Sequence, residues 1–332
     1  MHTRSEIEYA KNNCIQCGKC TENCSFLSKY EISIGDIERL RELAYHCFLC
    51  DACTSVCPVD IDGRQVIMEL RQETATGEDT RKAVISACGR TLSEKADYKF
   101  RNYNRVTSGA VFFPGCNFPS LYPKTSEYIS NMLKKDFGIG TVYECCGKPV
   151  AETGLLDYEK SIIDGLNERI EKYGITEFIT ACPNCKEFLE TRVDVSVVDI
   201  FTKLKELEVG NTIHKDMKFY IPCPDRSERA WFKAISEFVD GEVSAIEGIN
   251  CCGLGGQAKK YEKDLAEDFA TKMGDEVKNH DDRIYTFCAS CVGSFTLSGS
   301  PVNHVLPEIL GVDEEPDTKF SYINRMKTKF KK

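Results

Sequence analysis

Long hydrophobic runs are missing from this chain of 332 residues. No stretch approaches 18 uninterrupted apolar residues, so the sequence predicts no membrane-spanning helix. Residues 1–8 are rich in charge and contain no apolar core segment, so we expect no secretory signal peptide. These two absences predict a cytoplasmic protein, in which any peripheral membrane association would arise through a partner.

A surplus of basic residues is also missing. The chain has 43 Lys and Arg residues against 52 Asp and Glu residues, which gives a net charge of −9. A protein that binds nucleic acid needs a basic face to displace counterions from the phosphates. The composition therefore argues against a nucleic-acid partner.

Two familiar kinds of catalytic motif are absent. Among the five histidines, no serine–histidine or cysteine–histidine arrangement stands out, so a hydrolytic activity has little support. No Gly-x-Gly-x-x-Gly motif is present, because the glycines at 253, 255 and 256 lack its spacing. We therefore expect flavin or nicotinamide on a partner protein.

Cysteine, by contrast, is abundant, with nineteen residues. Because the cytosol keeps thiols reduced, a cysteine-rich chain there is more typical of metal binding than of disulfides. All but one of these cysteines fall into four sets of ligand spacing. Cys88 stands outside every set, and we interpret it as a packing residue.

Two identical cysteine runs occupy the N-terminal part. The pattern Cys-x2-Cys-x2-Cys-x3-Cys begins at Cys14 and again at Cys47, and it is that of two-cluster bacterial ferredoxins. Three cysteines at this spacing wrap around one [4Fe–4S] cube, and the fourth reaches across to the other cube. The sequence thus predicts one cube on Cys14, Cys17, Cys20 and Cys57, and a second cube on Cys47, Cys50, Cys53 and Cys24.

Zinc is the alternative occupant of these runs. A zinc site made of two Cys-x2-Cys pairs has no use for a third cysteine two residues on, nor for the trailing Cys57-Pro58. The first run departs slightly from the ferredoxin pattern, since it ends in Cys24-Ser25. Apolar periodicity predicts one helix between the runs and another after the second run. The positions are Ile32, Ile34, Ile37, Leu40, Leu43 and Ala44, then Val66, Ile67 and Leu70.

An internal repeat fills residues 110–320. Cys116 corresponds to Cys223 at a shift of 107 residues. The other four cysteines of each copy correspond at a shift of 106, and both copies contain Cys-Cys-Gly. The first set is Cys116, Cys145, Cys146, Cys182 and Cys185, and the second set is Cys223, Cys251, Cys252, Cys288 and Cys291.

Each copy also predicts alternating strands and helices. An amphipathic helix over 155–173 precedes a strand at 178–181, and a helix over 265–277 precedes a strand at 284–287. This order is typical of a parallel α/β layer, in which ligands bind beyond the carboxyl ends of the strands. We therefore expect two pseudo-symmetric halves with a cleft between them.

Five thiolates per copy exceed the four that a cube or a zinc ion requires. Adjacent cysteines cannot both point at one compact tetrahedral centre, but they can bridge two metals of an extended cluster. Gly147 and Gly253 follow the two pairs, where they would allow a positive φ or a close approach of the backbone to the inorganic core. The alternative is that each pair is simply two buried cysteines.

The pattern Cys, Cys-Cys-Gly, Cys-x2-Cys, occurring twice, resembles the CCG domains of the heterodisulfide reductase family. The N-terminal module resembles the small ferredoxin subunit of that enzyme, and a chain carrying both resembles its fused D-type subunit. The resemblance implies that each five-cysteine set holds a non-cubane [4Fe–4S] cluster and that a disulfide is cleaved between them. It thereby assigns a catalytic role to all ten CCG cysteines.

The predicted fold class is α/β, with a mainly helical two-cluster ferredoxin-like module before two pseudo-symmetric α/β CCG domains. We place the ferredoxin-like domain at 1–90, a linker at 91–109, and the CCG domains at 110–215 and 216–320. A basic tail at 321–332 completes the chain, and we expect it to be a frayed terminus more than a docking segment for a partner or an anionic membrane.

Three functions are compatible with these sets. The leading hypothesis is reduction of a small disulfide, with Lys148, Lys186 and Arg226 as candidates to receive an anionic thiol substrate. Residues of this kind are more often solvated or balance cluster charge. The second hypothesis is an electron relay between a flavoprotein and a quinone pool, and the third is a cluster scaffold or maturation factor. A flavoprotein or a cytochrome b is the expected redox partner.

Overall fold

Short helices surround the two N-terminal cysteine runs. The computed structural model describes residues 4–279 and 283–332, so the first three residues of the charged N-terminal segment lie outside the described part. The carboxylate of Glu69 accepts hydrogen bonds from the N–H groups of Glu6 and Ile7, at 3.0 and 3.1 Å, and so holds the first helix. The helices are α1 Glu6–Asn13, α2 Lys19–Asn23, α3 Ser25–Lys29, α4 Ile37–Glu42 and α5 Gly63–Thr74, with 3-10 turns at Ala44–His46 and Thr54–Val56.

The two helices predicted from apolar periodicity in this module are found. The helix after the second run is α5, in which Val66, Ile67 and Leu70 are all buried. The helix between the runs is shorter than the apolar pattern, because it begins only at Ile37; Ile32 is buried ahead of it in a turn. The core of the module is therefore apolar as predicted, although part of it lies outside regular helix.

Residues 91–109, predicted as a linker, contain regular structure. Helix α6 Glu78–Lys95 runs into this segment, and strand β1 Asn102–Arg105 pairs antiparallel with the third strand of the chain. Cys88 lies on α6 and is buried beside Val84 and Leu92, which agrees with its interpretation as a packing residue. The segment thus joins the two parts of the chain by packing as well as by connectivity.

A mostly parallel sheet forms the first CCG half. Its order is β1-β3-β2-β4-β5, with β1 as the antiparallel edge. The predicted helix over 155–173 is α10, and the predicted strand at 178–181 is the end of β4. The remaining elements are β2 Gly109–Phe113, α7 Phe118–Leu121, α8 Pro123–Phe137, β3 Gly140–Tyr143, α9 Lys148–Ala151, α10 Leu156–Tyr173, β4 Ile175–Thr180, α11 Pro183–Leu189, β5 Ser196–Asp199 and α12 Ile200–Glu206.

The second half repeats this topology. Its order, β7-β6-β8-β9, is the order β3-β2-β4-β5 of the first sheet, and all its pairings are parallel. The repeat predicted from the cysteine shifts is therefore structural. The elements are β6 Met217–Phe219, α13 Ala230–Ser236, β7 Val243–Ala245, α14 Lys263–Asn279, β8 Ile284–Thr286, α15 Ala289–Leu297, β9 Asn303–His304 and α16 Val305–Leu310, with 3-10 turns at Cys223–Asp225 and Gly255–Lys260.

One hydrophobic core spans both CCG halves. Phe118 and Tyr122 of the first half belong to the same buried cluster as Phe287 and Phe295 of the second. The Tyr122 hydroxyl accepts a hydrogen bond from the backbone N–H of His304 at 2.9 Å. Because a shared core resists separation, the relative position of the two sheets is fixed by packing.

The C-terminal tail begins with helix α17 Ser321–Thr328, which packs against α7. The expectation of a frayed terminus is therefore wrong for these residues. Arg325 pairs with Glu94 at 2.6 Å, and the side chain of Asn102 donates to the carbonyl of Thr328 at 2.7 Å. No helix in the described part of the chain is long and apolar enough to cross a membrane.

Candidate functional site

The CCG cysteines lie just beyond strand ends, as predicted for open α/β sheets. Cys116 follows β2, and Cys145 and Cys146 follow β3. Cys182 follows β4 and caps α11 with φ −128° and ψ 115°, while its counterpart Cys288 caps α15 with φ −128° and ψ 110°. The repeated backbone geometry brings the cysteines of each half to one edge of its sheet.

In the first set, the thiols form a chain of neighbouring contacts. Cys116 contacts Cys145, Cys145 contacts Cys146, and Cys146 contacts Cys185. Cys185 then contacts Cys182. All five thiols predicted for this set are thus brought together.

In the second set, the contacts run from Cys251 through Cys252 and Cys291 to Cys288. Cys223 lies within electrostatic range of Cys252. The two sets meet directly, because the thiols of Cys182 and Cys288 are in contact. The spacing pattern predicted two facing sets, and tertiary packing makes them contiguous.

One thiol in each Cys-Cys-Gly pair is markedly acidic. The pKa of Cys146 is held well below its ordinary value because Cys145 and Cys185 donate hydrogen bonds to its sulfur. The pKa of Cys252 is likewise held well below its ordinary value by Cys251 and Cys291. Thiolates are the form that binds metal, so the equivalent position in each half is prepared for a metal ligand.

Glycines leave room beside these thiols. Gly147 and Gly253 have φ of +93° and +76°, which agrees with the predicted need for a positive φ after each cysteine pair. At Gly115, a Cβ atom would lie 3.1 Å from the sulfur of Cys185. A side chain there would crowd the thiol set.

The ferredoxin-like runs show the same crowding. A Cβ atom on Gly35 would lie 2.6 Å from the sulfur of Cys14, and one on Gly63 would collide with the sulfur of Cys53. Burial raises the pKa of Cys24, and the neighbouring charges of Cys50 and Cys47 raise it further. Cys24 therefore lies with the second run, as the exchange of fourth ligands predicts.

The second cysteine run contacts the second CCG set. The thiols of Cys50 and Cys251 are in contact, and Arg226 donates hydrogen bonds to the carbonyls of Cys50 and Asn250. A Cβ atom on Gly256 would lie 2.6 Å from the carbonyl oxygen of Cys47. These close backbone contacts join the two parts of the chain at their cysteines.

Among the three substrate candidates, the Lys148 side chain is largely buried and its charge interacts with that of Cys223. Its Nζ atom donates to Glu187 at 2.6 Å and to Asn184 at 2.8 Å. Burial by itself would lower the pKa of Lys148, but the charges of Glu187, Glu152 and Cys223 hold it above the ordinary value. Lys186 pairs with Glu190 on its own helix, and Arg226 is occupied at the domain contact.

Two cations that the sequence did not indicate lie beside the first set. The Nζ atom of Lys95 lies 3.1 Å from the sulfur of Cys116. Burial alone would lower the pKa of Lys95, but the thiolates of Cys116 and Cys145 hold it raised. Arg325 of α17 donates to the side chain of Asn117 at 3.0 Å. Because both residues are distant in sequence from the cysteines, spacing could not have found them.

Polar side chains also cross between the halves. The amide of Asn184, between Cys182 and Cys185, donates to the sulfur of Cys288 at 3.5 Å. Ser290, the equivalent residue between Cys288 and Cys291, accepts from the side chain of Asn117 at 2.7 Å. The middle of each Cys-x2-Cys loop thus contacts the opposite half.

The donor set consists of cysteine thiols, which fits iron–sulfur clusters. Among residues 4–279 and 283–332, no three cysteine, histidine or acidic side chains converge as they would around one ion. The CCG thiols lie in extended chains of contacts, and most of them are buried, with glycines leaving space beside them. Thiolates in such numbers are typical ligands of iron–sulfur clusters.

Comparison with known proteins agrees with this arrangement. Residues 7–61 match the 4Fe-4S dicluster domain family, and residues 110–190 and 225–296 match the cysteine-rich CCG domain family. Together these matches support a heterodisulfide reductase D-like fusion. It joins a dicluster ferredoxin-like domain to two CCG domains, and it is an iron–sulfur protein of the electron-transfer, oxidoreductase class.

Two curated relatives of this fusion are oxidoreductase subunits. The B-type subunit of fumarate reductase (CoM/CoB) from Methanothermobacter marburgensis is 24% identical over 330 residues, covering 84% of this chain and 66% of the relative. The D-type subunit of dihydromethanophenazine:CoB–CoM heterodisulfide reductase from Methanosarcina barkeri is 20% identical, covering 79% of this chain and 74% of the relative. The chain thus spans just under two thirds of the first relative.

A solved structure of glutamate racemase from Bacillus anthracis overlaps 62% of this chain and 80% of its own. The identity is 10% and the TM-score is 0.30, so this likeness carries no argument.

Proposed function

We propose that this chain reduces a small disulfide to two thiols, or catalyses the reverse reaction, as the iron–sulfur subunit of a cytoplasmic redox complex. The observation that carries the proposal is the contact of Cys182 with Cys288, which joins two complete five-thiol sets. A substrate disulfide bound at this contact would have one cysteine set on each side.

The ligand sets would be those predicted from spacing. Two [4Fe–4S] cubes would occupy the N-terminal runs, and two non-cubane [4Fe–4S] clusters would occupy the CCG sets. These clusters, when bound, would supply single electrons and iron positions that can accept sulfur. The contact of Cys50 with Cys251 supports electron entry at the second CCG set.

Cleavage of one disulfide requires two electrons and two protons, and it leaves two thiols. Lys95 lies beside Cys116, and Lys148 is buried within electrostatic range of Cys223, so each set has a cation at its first cysteine. Both ammonium groups would balance the negative charge that develops on the separating sulfurs. Lys186, which pairs with Glu190, is left without a role in this scheme.

The names of the relatives support the substrate class. Both names contain CoM and CoB, and one contains the word heterodisulfide. We therefore propose a pair of small thiols and their mixed disulfide as the substrate couple. A flavoprotein or cytochrome b would exchange electrons with the ferredoxin-like domain.

The test is an anaerobic titration of the purified chain with small thiols, followed by electron paramagnetic resonance. About sixteen irons per chain are expected for two cubes and two four-iron clusters. Thiol binding should perturb a signal that disappears in Cys182→Ser or Cys288→Ser but persists in the control Cys88→Ser, since Cys88 belongs to no set.

Other outcomes would choose a different function. A full iron content with signals that ignore every thiol would favour the electron relay. Transfer of iron and sulfide to an apo-acceptor, without electron exchange, would favour the scaffold. Zinc, or only about eight irons, would overturn the redox-catalyst proposal.

A further inference from the structure

Helix α17 directs two uncharged polar side chains inward. Asn324 and Thr328 lie one turn apart, and both are buried. The amide of Asn324 donates to the carbonyl of Ser120 at 3.2 Å and to Asp317 at 2.8 Å. The docked face of this helix is therefore held by specific hydrogen bonds, and its orientation on the protein is fixed.

The opposite face of α17 is apolar and exposed. Tyr322, Ile323 and Met326 occupy positions i, i+1 and i+4 of the helix, which lie within one side of it, and Phe330 follows in the turn after the helix ends. Tyr322 is 57% exposed and Phe330 is 71% exposed. Phe320, just before the helix, is exposed as well. A soluble helix normally has the reverse arrangement, with its apolar side buried.

Charge of one sign surrounds this apolar stripe. Residues 318–332 contain six basic residues and no acidic residue, although the whole chain has a net charge of −9. Lys331 and Arg325 are paired with Glu127 and Glu94. The other basic side chains of the segment are exposed; they are Lys319, Lys327, Lys329 and Lys332.

We propose that α17 and its flanking residues, 318–332, form a docking surface for an anionic lipid bilayer. Aromatic and aliphatic side chains on one face with lysines around them are the composition of helices that lie in a membrane interface. Exposed lysines near such a surface are attracted to acidic lipids. A protein partner would need an apolar groove with acidic side chains around it, whereas an acidic bilayer offers both features over its whole surface.

Docking would bring the first CCG set close to the membrane. Tyr322 packs edge-to-face on Phe100, with ring centroids 5.5 Å apart. Phe100 in turn belongs to a small buried cluster with Cys116 and Cys145. One aromatic layer therefore separates the proposed lipid surface from the thiols. The inference does not rest on the proposed disulfide chemistry, because lipid binding needs none.

Vesicle co-sedimentation of the anaerobically purified full-length chain tests the proposal. We expect binding to vesicles of phosphatidylcholine with about one third phosphatidylserine, weakening with salt, and much weaker binding to pure phosphatidylcholine. The double variant Lys327→Gln/Lys329→Gln should lower the partition coefficient roughly 30-fold. Phe330→Ser should lower it roughly tenfold even at low salt.

The matched control is Lys263→Gln/Lys278→Gln on α14, whose lysines are 78% and 77% exposed but lie far from α17 in sequence. It should bind like the unmodified chain. Unchanged thermal unfolding would show that the tail variants still fold. Absence of binding to anionic vesicles, or an equal loss of binding in the control variant, would overturn the proposal. The exposed face of α17 would then be assigned to a protein partner.

Discussion

The amide nitrogen of Asn184, in the first CCG domain, lies 3.5 Å from the sulfur of Cys288 in the second. The other end of the same amide accepts a hydrogen bond from Lys148 at 2.8 Å. Asn184 therefore connects a cation on one side of the cleft with a thiol on the other. A residue between two cysteines of one set thus donates a hydrogen bond to a cysteine of the opposite set.

Replacing Asn184 should change the second cluster more than the first. We expect Asn184→Leu to lower the reduction potential of the species bound by the second CCG set by about 50 mV, since a thiolate that loses a donor accommodates an added electron less well. Redox titration followed by electron paramagnetic resonance measures the shift. Asn13→Ala, at the exposed C-terminal end of α1, is the control, and equal potentials in all three proteins would contradict the role.

Lys95 should have the complementary effect on the first set. Removing its charge 3.1 Å from the sulfur of Cys116 disfavours the more negative, reduced state. We expect Lys95→Met to lower the potential at the first set by about 100 mV, and Lys95→Arg to restore most of it. The same titration separates the two sets. If Lys95→Met shifts the reduction potentials at both sets equally, the effect comes from a general structural change and not from the local charge.

Gly255 tests the contact between the ferredoxin-like domain and the second CCG set. A Cβ atom on Gly255 would collide with the carbonyl oxygen of Phe48, so Gly255→Ala should push the second cysteine run away. Disulfide-reducing turnover should fall roughly tenfold or more, with iron content unchanged. Gly89→Ala is the control, because a Cβ atom there meets nothing within 4 Å. Full turnover in Gly255→Ala would argue for another electron route.

His304 predicts a pH dependence of stability. Burial lowers the pKa of His304 from 6.5 to about 4, while its Nδ1 atom accepts from the N–H of Leu306 at 3.2 Å. In the unfolded chain the imidazole binds a proton already near pH 6.5. Stability should therefore be full above that pH and fall by about 3 kcal/mol as the pH drops towards 4.

Anaerobic thermal unfolding between pH 4 and pH 7 measures this effect. His304→Asn keeps an acceptor at the start of α16 but cannot titrate, so its midpoint should depend less on pH in that interval. His214→Asn is the control, because His214 is largely exposed and pairs with Asp240 at the surface. If the unfolding midpoints of His304→Asn and of the unmodified chain depend on pH in the same way, His304 is ruled out as the source of the pH dependence.

Much of the fold was predictable because cysteine spacing and apolar periodicity are local signals. The helix α14 and the strand β8 lie where the pattern of residues 265–287 predicts them, and the matching strand orders confirm the repeat. Strand β1, inside the predicted linker, was not predicted because it carries little apolar signal and gains its partner from β3. The docking of the tail helix was not predicted because its buried side chains, Asn324 and Thr328, are polar.

The amino-acid sequence by itself determined the four cysteine sets, the duplication and the family resemblance, since each depends only on which residues stand at which spacing. Only the tertiary structure decided which sets touch, which cations lie beside them and which face of the C-terminal helix is exposed. Contacts such as Lys95 with Cys116, or Cys50 with Cys251, arise when separate elements pack together. The spacing of residues along the chain therefore does not predict them.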